Sequence, residues 1–487
     1  MKLAVLLPDA AALDSAGARL RYKRLAAGLK AQGHKLDLIA LDRLGKAHKF
    51  DRDAYIFAKI YDARAPILAQ AIKQAGARVG IDLFDDYFST TRDPRLTHLR
   101  RWFDGFRPML DFALCGTDAM AAQVAPLLGD LPCQVIADPA PVLDRKALAQ
   151  SLPQKARRAR DSKALQITWF GIGDNPYFRL GLADLQAFAD QLLIPARQGF
   201  DIRLSVLTNR RALTVAGLER LARLPVEVDL QDWSLPGEQA ALAASDIAFL
   251  PVGAGAFSRT KSSNRALTAL AAGAQVLSPG HPLYADFEAF LYRDFPTLLA
   301  DLETDSLRHR ADRLTELATR MQQVCGAAGQ AEALAGFLAG LGTGERQPGR
   351  VVCVIHGVGS GGDIHKFAQR MRMLSVASSL SRAQLNFDVT PDGDRVLLSE
   401  RALGLLRPGL ATRAEPAKAR GDKPTYRLDM PAAAAPAAQE GAALRITDMA
   451  RYGAGIGQAR ALVQALFDTP KIILSEPVSP YFEAATG

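Results

Sequence analysis

The sequence predicts an α/β protein built from two doubly wound units facing each other across a cleft, with a further α/β module behind them. Three observations carry this reading. Short apolar runs of strand character take turns with helical stretches, a basic stretch poor in apolar residues interrupts the alternation at 143–163, and a break rich in Gly, Pro and charge falls at 342–350. At 487 residues the chain exceeds what one hydrophobic core supports, so two or three domains are expected.

In the first unit, placed at 1–142, the strand-like runs are KLAVLLP, KLDLIAL, AYIFAKI, ARVGIDL, FALCG and CQVIA. Helical stretches at about 18–32 and 65–74 separate the early ones, as a parallel sheet with helices on both faces requires. The stretch RKALAQSLPQKARRARDSK has no apolar periodicity beyond a helical turn or two and reads as a linker. Alternation resumes in the second unit, 164–342, with LQITWFG, DIRLSVLT, VEVDL, SDIAFLPV and AQVLSPG, interleaved with helices near 182–193, 215–223, 238–244 and 265–272. A helical segment from about 306 to 340 closes it. Open α/β sheets bind ligands outside the carboxyl ends of their strands, so the largest site is expected between the two units. The third unit, 350–487, opens with VVCVIHGVGSGGDIHKFAQRMRML, read as strand, glycine-rich turn and helix, in which Gly357–Gly362 fits the GxGxxG spacing of a phosphate-binding turn. Its 408–443 stretch, rich in Ala, Pro, Lys and Glu, is expected to be loose.

Composition narrows the function classes. Hydrophobic residues at 48 % and charged residues at 23 % are ordinary for a soluble globular chain, and no apolar run reaches the roughly 18–20 residues of a membrane span. The opening MKLAVLLPDA is cut by Pro8 and Asp9 and reads as a buried first strand, not a leader. Four cysteines without paired spacing suit a reducing cytoplasm and exclude a Cys-rich zinc site. A net charge of +9 permits anionic partners, but aromatic residues are not interleaved with the basic ones as in nucleic-acid motifs, and no nucleic-acid partner is expected.

The chemistry concentrates in SDIAFLPVGAGAFSRTKSSNRALTALAAGAQVLSPG, 245–280. A strand runs into a small-residue loop and then a helix beginning near Lys261. Free backbone N–H groups there, with Ser262, Ser263 and Asn264 and the positive Lys261 and Arg265, suit a diphosphate. This segment resembles the donor-binding segment of GT-B glycosyltransferases related to family 4. In them a Lys-Ser-x-Asn-Lys/Arg run precedes a helix and an Ala-x-Gly-x-x-Val turn. The resemblance extends over about 340 residues, through SAGARLRYKRLAAGLKAQGHKLDLI, LQITWFGIGDNPYF and HPLYADF. It implies two facing Rossmann-like domains and transfer of a sugar from a nucleotide-diphosphate donor to an acceptor hydroxyl of a polysaccharide, glycolipid or protein glycan. It also implies no resident cofactor and no catalytic metal. One departure stands out: the family's two glutamates, eight positions apart across the donor helix, correspond here to Thr260 and Thr268, which can hydrogen-bond a sugar or ribose hydroxyl but carry no charge.

Further candidates follow from strand ends. Asp82, Asp85 and Asp86 lie at the carboxyl end of a strand, where one could orient an acceptor hydroxyl or act as a base; a solvated loop or helix cap is the alternative. Lys59, Tyr61 and Asp62 end the strand before. Gly171 and Gly173 would let the backbone approach a phosphate, with Asn175 and Arg179 near by. Thr208 and Asn209, then Asp232 and Trp233, follow strands and could edge the base, although packing is the commoner use of a tryptophan. Arg19, Arg21, Lys23, Arg24 and Lys30 form a basic helix surface, read as a solvated face or as peripheral contact with an anionic membrane. No His, Cys or carboxylate cluster has metal-ligand spacing. Two other readings share the architecture: a catalytically weak sugar-nucleotide-binding scaffold, and a sugar-nucleotide epimerase.

Overall fold

The computed structural model describes residues 1–344 except 46, 63 and 90–92, and beyond them 351–357, 389–392, 395–399, 403, 406–407, 409–420, 423–429 and 471–477. The first unit is a six-stranded sheet of β1 (Lys2–Leu7), β2 (Lys35–Ala40), β3 (Ala54–Ala58), β4 (Arg78–Leu83), β5 (Phe112–Cys115) and β6 (Cys133–Val135), in the order β2-β1-β3-β4-β5-β6. Every neighbouring pair is parallel. Successive side chains of a strand point to opposite faces, and β1 serves both. Ala4 and Leu6 join Tyr55, Phe57, Trp102 and Phe106 on one side, whereas Leu3, Val5 and Leu7 join Tyr22, Leu25 and Leu29 on the other. Burial on both faces is why these strands read as continuous apolar runs.

The second unit repeats the plan with β7 (Ala164–Gly171), β8 (Asp201–Thr208), β9 (Val228–Asp232), β10 (Ile247–Phe249), β11 (Gln275–Leu277) and β12 (Leu291–Tyr292), ordered β12-β11-β10-β7-β8-β9 and again all parallel. This is the doubly wound order in which the connections reverse direction between β7 and β10, and the crevice at such a reversal is where ligands bind. The expected architecture of two Rossmann-like sheets is therefore present.

Two segments depart from the sequence expectation. The stretch taken as a linker is a helix, Arg145–Ser162, capped by the Asp144 carboxylate on the Ala147 N–H at 3.0 Å. Leu148, Leu152, Ala156 and Ala159 form its buried stripe. Only two large apolar residues sit in that stripe, so the helical period hid among arginines and lysines. The closing helix Ala327–Gly340 follows the second sheet in sequence but packs on the first unit, where Ala331, Leu334 and Leu338 share a cluster with β1 and the helix Arg24–Ala31. Gly28 makes room for it: a Cβ there would lie 2.3 Å from the Ala327 carbonyl oxygen. Arg78 binds its Leu338 carbonyl from the sheet side.

Beyond these units, β13 (Val351–Gly357) pairs in parallel with β18 (Lys471–Pro477). β14 (Val389–Asp392), β15 (Arg395–Ser399), β16 (Glu415–Arg420) and β17 (Lys423–Asp429) make an antiparallel sheet in the order β14-β15-β17-β16. The stretch expected to be loose thus contributes two paired strands. Of the glycine-rich turn, Gly357 ends β13, and the rest of it lies outside the described residues. Among the described residues, no helix is long and apolar enough to cross a membrane.

Candidate active site

A cavity of about 240 Å³ lies between the carboxyl ends of the two sheets. Lys59 follows β3, and Asp85 and Tyr87 follow β4. Opposite them stand Ile172 and Asn175 after β7, Arg211 after β8, and Pro251, Val252 and the Lys261–Arg265 stretch after β10. The reversal point of the second sheet supplies the floor, as the strand order requires.

Lys261, Ser262, Asn264 and Arg265, named from the sequence as candidate donor-site residues, all line this cavity. The helix starts at Asn264, close to the expected 265–272 span; a one-turn helix, Ala256–Arg259, precedes it, and Lys261 sits in the connection. Lys261 reaches across the cleft to the Asp85 carboxylate and lies 4.1 Å from the centre of the Phe257 ring. The Lys59 ammonium is 3.5 Å from the same carboxylate. Burial alone would favour the neutral acid, but the Lys261 and Lys59 charges outweigh it and hold Asp85 below the usual carboxylate range. Lys59 adopts the left-handed conformation, φ 56°, uncommon for a side chain of its size and costing about 1–3 kcal/mol. That strain accompanies its placement at the cleft.

Arg265 has the most unusual surroundings in the cavity. Its guanidinium lies 5.2 Å from the Trp169 ring centre and 5.5 Å from that of Phe170, and its Nε and Nη2 are buried without a hydrogen-bond partner among the described residues. An unpaired buried donor costs about 1–3 kcal/mol, more when charged. Gly171 allows this seat: its φ of 142° suits glycine, and a Cβ would come within 3.2 Å of Arg265 Nε. Asp184, missed in the sequence, lines the cavity too, and burial raises its carboxyl above the usual range. Arg211, also missed, pairs with Asp174 at 3.1 Å. Both lie in the first turn of short helical segments that follow strand ends, Leu182–Ala187 and Arg210–Ala212, too short for a period to mark the face turned to the cleft.

The other expected residues divide into supports and bystanders. Asp82, fully buried, receives Arg21 Nε at 2.6 Å, Arg21 Nη2 at 3.0 Å and the Tyr22 hydroxyl at 2.8 Å. Asp86 accepts the Phe88 and Ser89 N–H groups, the Ser89 hydroxyl and the Gln123 amide. Neither lines the cavity, so Asp85 is the one of the three that meets it. Asn175 lines it while holding its own turn through the Tyr177 and Phe178 N–H groups. Gly173 serves packing: its N–H donates to Asn209 Oδ1 at 2.9 Å, and a Cβ would strike Thr208 Oγ1 at 2.4 Å. Thr208 is buried and donates to the Gly171 carbonyl at 3.0 Å. Trp233 donates to Glu238 at 2.6 Å and carries the Arg19 guanidinium 5.3 Å from its ring centre, so it packs at the junction of the units. Thr260 is buried with its hydroxyl on the Phe257 carbonyl, and Thr268 lies along the helix outside the cavity lining. The basic helix is not one face: Arg21 is buried, Arg24 donates to the Pro139 carbonyl, and Lys23 and Lys30 are left exposed. No group of three or more His, Cys, Asp or Glu among the described residues is placed to hold a metal ion.

Fold and site together define a two-domain α/β protein with a cationic, partly aromatic cleft. No protein-family model and no curated protein matches the sequence. Among solved structures, it is similar to one described as trehalose-6-phosphate from E. coli bound with UDP-2-fluoro glucose, at 13 % identity over 69 % of this chain and 99 % of that one, with a TM-score of 0.45. A sucrose-phosphate synthase from Thermosynechococcus elongatus is 12 % identical over 70 % and 99 % of the two chains, with a TM-score of 0.48. A UDP-forming alpha,alpha-trehalose-phosphate synthase from Burkholderia xenovorans in complex with glucose-6-phosphate is 12 % identical over 59 % and 73 %, with a TM-score of 0.42. Likenesses this distant leave the chemistry of the present chain to be read from its own cavity.

Proposed function

We propose that the chain is a glycosyltransferase that takes a sugar from a nucleotide-diphosphate donor to an acceptor hydroxyl, with the donor held in the cleft by the second unit. The observation that carries this is Arg265, which lines the cavity and whose guanidinium has two buried nitrogens without a hydrogen-bond partner among the described residues. A diphosphate would satisfy both donors with charge-assisted hydrogen bonds, each of the strong kind. Lys261, in the connection just before the helix, would exchange its ion pair with Asp85 for a phosphate oxygen. Gly171, on this reading, acts by leaving space for Arg265. Asp85 and Asp184 are the carboxylates placed to receive sugar or acceptor hydroxyls. Two lysines keep Asp85 ionised, which suits orienting a hydroxyl more than removing its proton.

Because Lys261 and Arg265 can offset the diphosphate charge, transfer is proposed to proceed without a metal and to survive dialysis against EDTA. A second reading, a binding protein with little transfer activity, draws on Thr260 and Thr268, which bring no carboxylate to the cavity. Incubation of the pure protein with radiolabelled sugar nucleotides, with and without acceptor extract, separates the readings. Label moving into acceptor supports the transferase. Binding without transfer supports the scaffold, and conversion of the free donor would mean an epimerase. Lys261→Ala should weaken nucleoside-diphosphate binding by about 1.5–3 kcal/mol and nucleoside binding much less. Equal losses for both ligands in calorimetry would remove Lys261 from the site.

A further inference from the structure

A chain of charged contacts runs from the buried heart of the first unit to the donor helix of the second. Arg21 gives two hydrogen bonds to Asp82 and uses Nη1 for the Ile136 carbonyl at 2.6 Å and for Asp138 Oδ1 at 2.9 Å. The other Asp138 oxygen accepts the Asn264 side-chain amide. A carboxylate paired with an arginine is ionised and can only accept, so the Asn264 NH2 group must face Asp138. Its carbonyl oxygen is thereby turned the other way. That oxygen is buried and has no hydrogen-bond partner among the described residues, on a side chain that lines the cleft.

We infer that Asp138 is a positioning residue: it fixes the direction of the Asn264 amide so that a single acceptor is offered to a ligand in the cleft. An acceptor that cannot rotate into a donor selects a hydroxyl and rejects a phosphate oxygen or a carbonyl, which bring only lone pairs. Asn264 therefore reads a hydroxyl, while its neighbours Lys261 and Arg265 take charge. Taking that hydroxyl as part of the donor, on its sugar or ribose, rests on the transferase reading above. Because Asp138 precedes the crossing into the second unit and Asn264 lies within it, the contact also forms only when the two units are docked as here.

Two measurements test this. In the free protein, the Asn264 side-chain NH2 pair in a 15N–1H spectrum is assigned by its loss in Asn264→Leu, and it should move in Asp138→Asn, where the partner no longer dictates direction. An unmoved signal would sink the orienting role. Calorimetry then compares inorganic pyrophosphate with UDP-glucose, ADP-glucose and GDP-mannose. Whichever sugar nucleotide binds the wild type should bind Asp138→Asn and Asn264→Leu about tenfold more weakly, with pyrophosphate affinity held within about twofold and Asp138→Glu recovering part of the loss. Parallel loss of pyrophosphate would mean general damage and overturn the proposal. If the wild type binds pyrophosphate but none of the three sugar nucleotides, the transferase reading falls together with the ligand named here, while the spectrum still decides what Asp138 does.

Discussion

Arg21 and Arg265 are both guanidinium groups set among aromatic and aliphatic side chains near the cleft, one in each unit. Arg21 is 2 % exposed and has partners on every side: two bonds to Asp82, a carbonyl, and Asp138. Burial works against its charge, but Asp82 and Asp138 more than compensate, and its pKa is raised above the ordinary arginine value. Arg265 has ring faces and two nitrogens without hydrogen-bond partners among the described residues. A buried charge with all its donors satisfied holds structure together, and removing it strands its counter-ion. One with donors unspent carries a standing cost that a ligand can remove. The difference separates the scaffold of the cleft from its recognition surface, although both residues would look alike on a composition count.

The strongest challenge to this contrast is Arg21→Met. It should destabilise the protein by about 3–5 kcal/mol, because Asp82 would remain buried and uncompensated. Chemical denaturation reads this directly, and a loss under about 1 kcal/mol would mean that the node is ornamental.

His309 is an intermediate case, with Nδ1 3.3 Å from the Ala274 carbonyl and Nε2 buried without a partner among the described residues. Burial lowers its pKa from 6.5 to about 4. The folded form therefore resists a proton that the unfolded chain accepts. Stability is intact above pH 6.5, declines as pH falls from there to about 4, and is flat below for this group. At about 1.36 kcal/mol per pH unit the fall is on the order of 3 kcal/mol. Urea midpoints of wild type and His309→Gln across that window should converge as pH drops.

Arg265→Met should do the reverse of Arg21→Met. Stability should stay within about 1 kcal/mol of wild type, since the group lost gives up ring contacts and a through-space attraction to Asp184, with no hydrogen bond from Nε or Nη2 among the described residues. Affinity for pyrophosphate should fall about 10- to 100-fold. Unchanged affinity in calorimetry would leave the unpaired donors without a purpose and the contrast with Arg21 without its functional half.

The smallest effect concerns Asp85. Its folded-state pKa lies below the usual 3.8, so its ion pairs contribute fully above that value and are lost as pH falls through the folded one. Lys261 is partly exposed, and screening limits the contribution to about 1 kcal/mol. The stability gap between wild type and Asp85→Asn should therefore start to narrow as pH falls below 3.8 and go on narrowing with further acidification, and a gap that does not depend on pH would point to packing as its source.

Much of this was legible in the sequence because it is local. Each apolar run in the first two units became a strand at nearly the stated residues, and Lys261, Ser262, Asn264 and Arg265, close in sequence, line one cavity. Two-residue β12 and the helix Arg145–Ser162 escaped, the first for its length and the second because alanines carry half of its buried stripe. What the sequence does not reveal is partnership across distance. Asp82, Asp85 and Asp86 look equivalent in IDLFDDYFS, yet Asp82 is claimed by Arg21, 61 positions away, and Asp85 by Lys261, 176 positions away. Only the fold decides which carboxylate is a brace and which faces the cleft. Thr208 and Asn209 were likewise at the right strand end but spend their groups on the Gly171–Gly173 turn.

The returning helix Ala327–Gly340 has a mechanical consequence. The chain passes between the sheets twice, once on the way into the helix Arg145–Ser162 and once on the way back, and the two passes touch where the Ala140 N–H donates to the Cys325 carbonyl at 2.8 Å. Two adjacent crossings tether the units along a line, as a door is hung on a pair of pins. Opening and closing of the cleft are thereby restricted to a swing about that line, with twisting and sliding opposed by the second crossing. Tyr87 and Phe178, with their ring centres 6.1 Å apart, are among the residues that meet across this door.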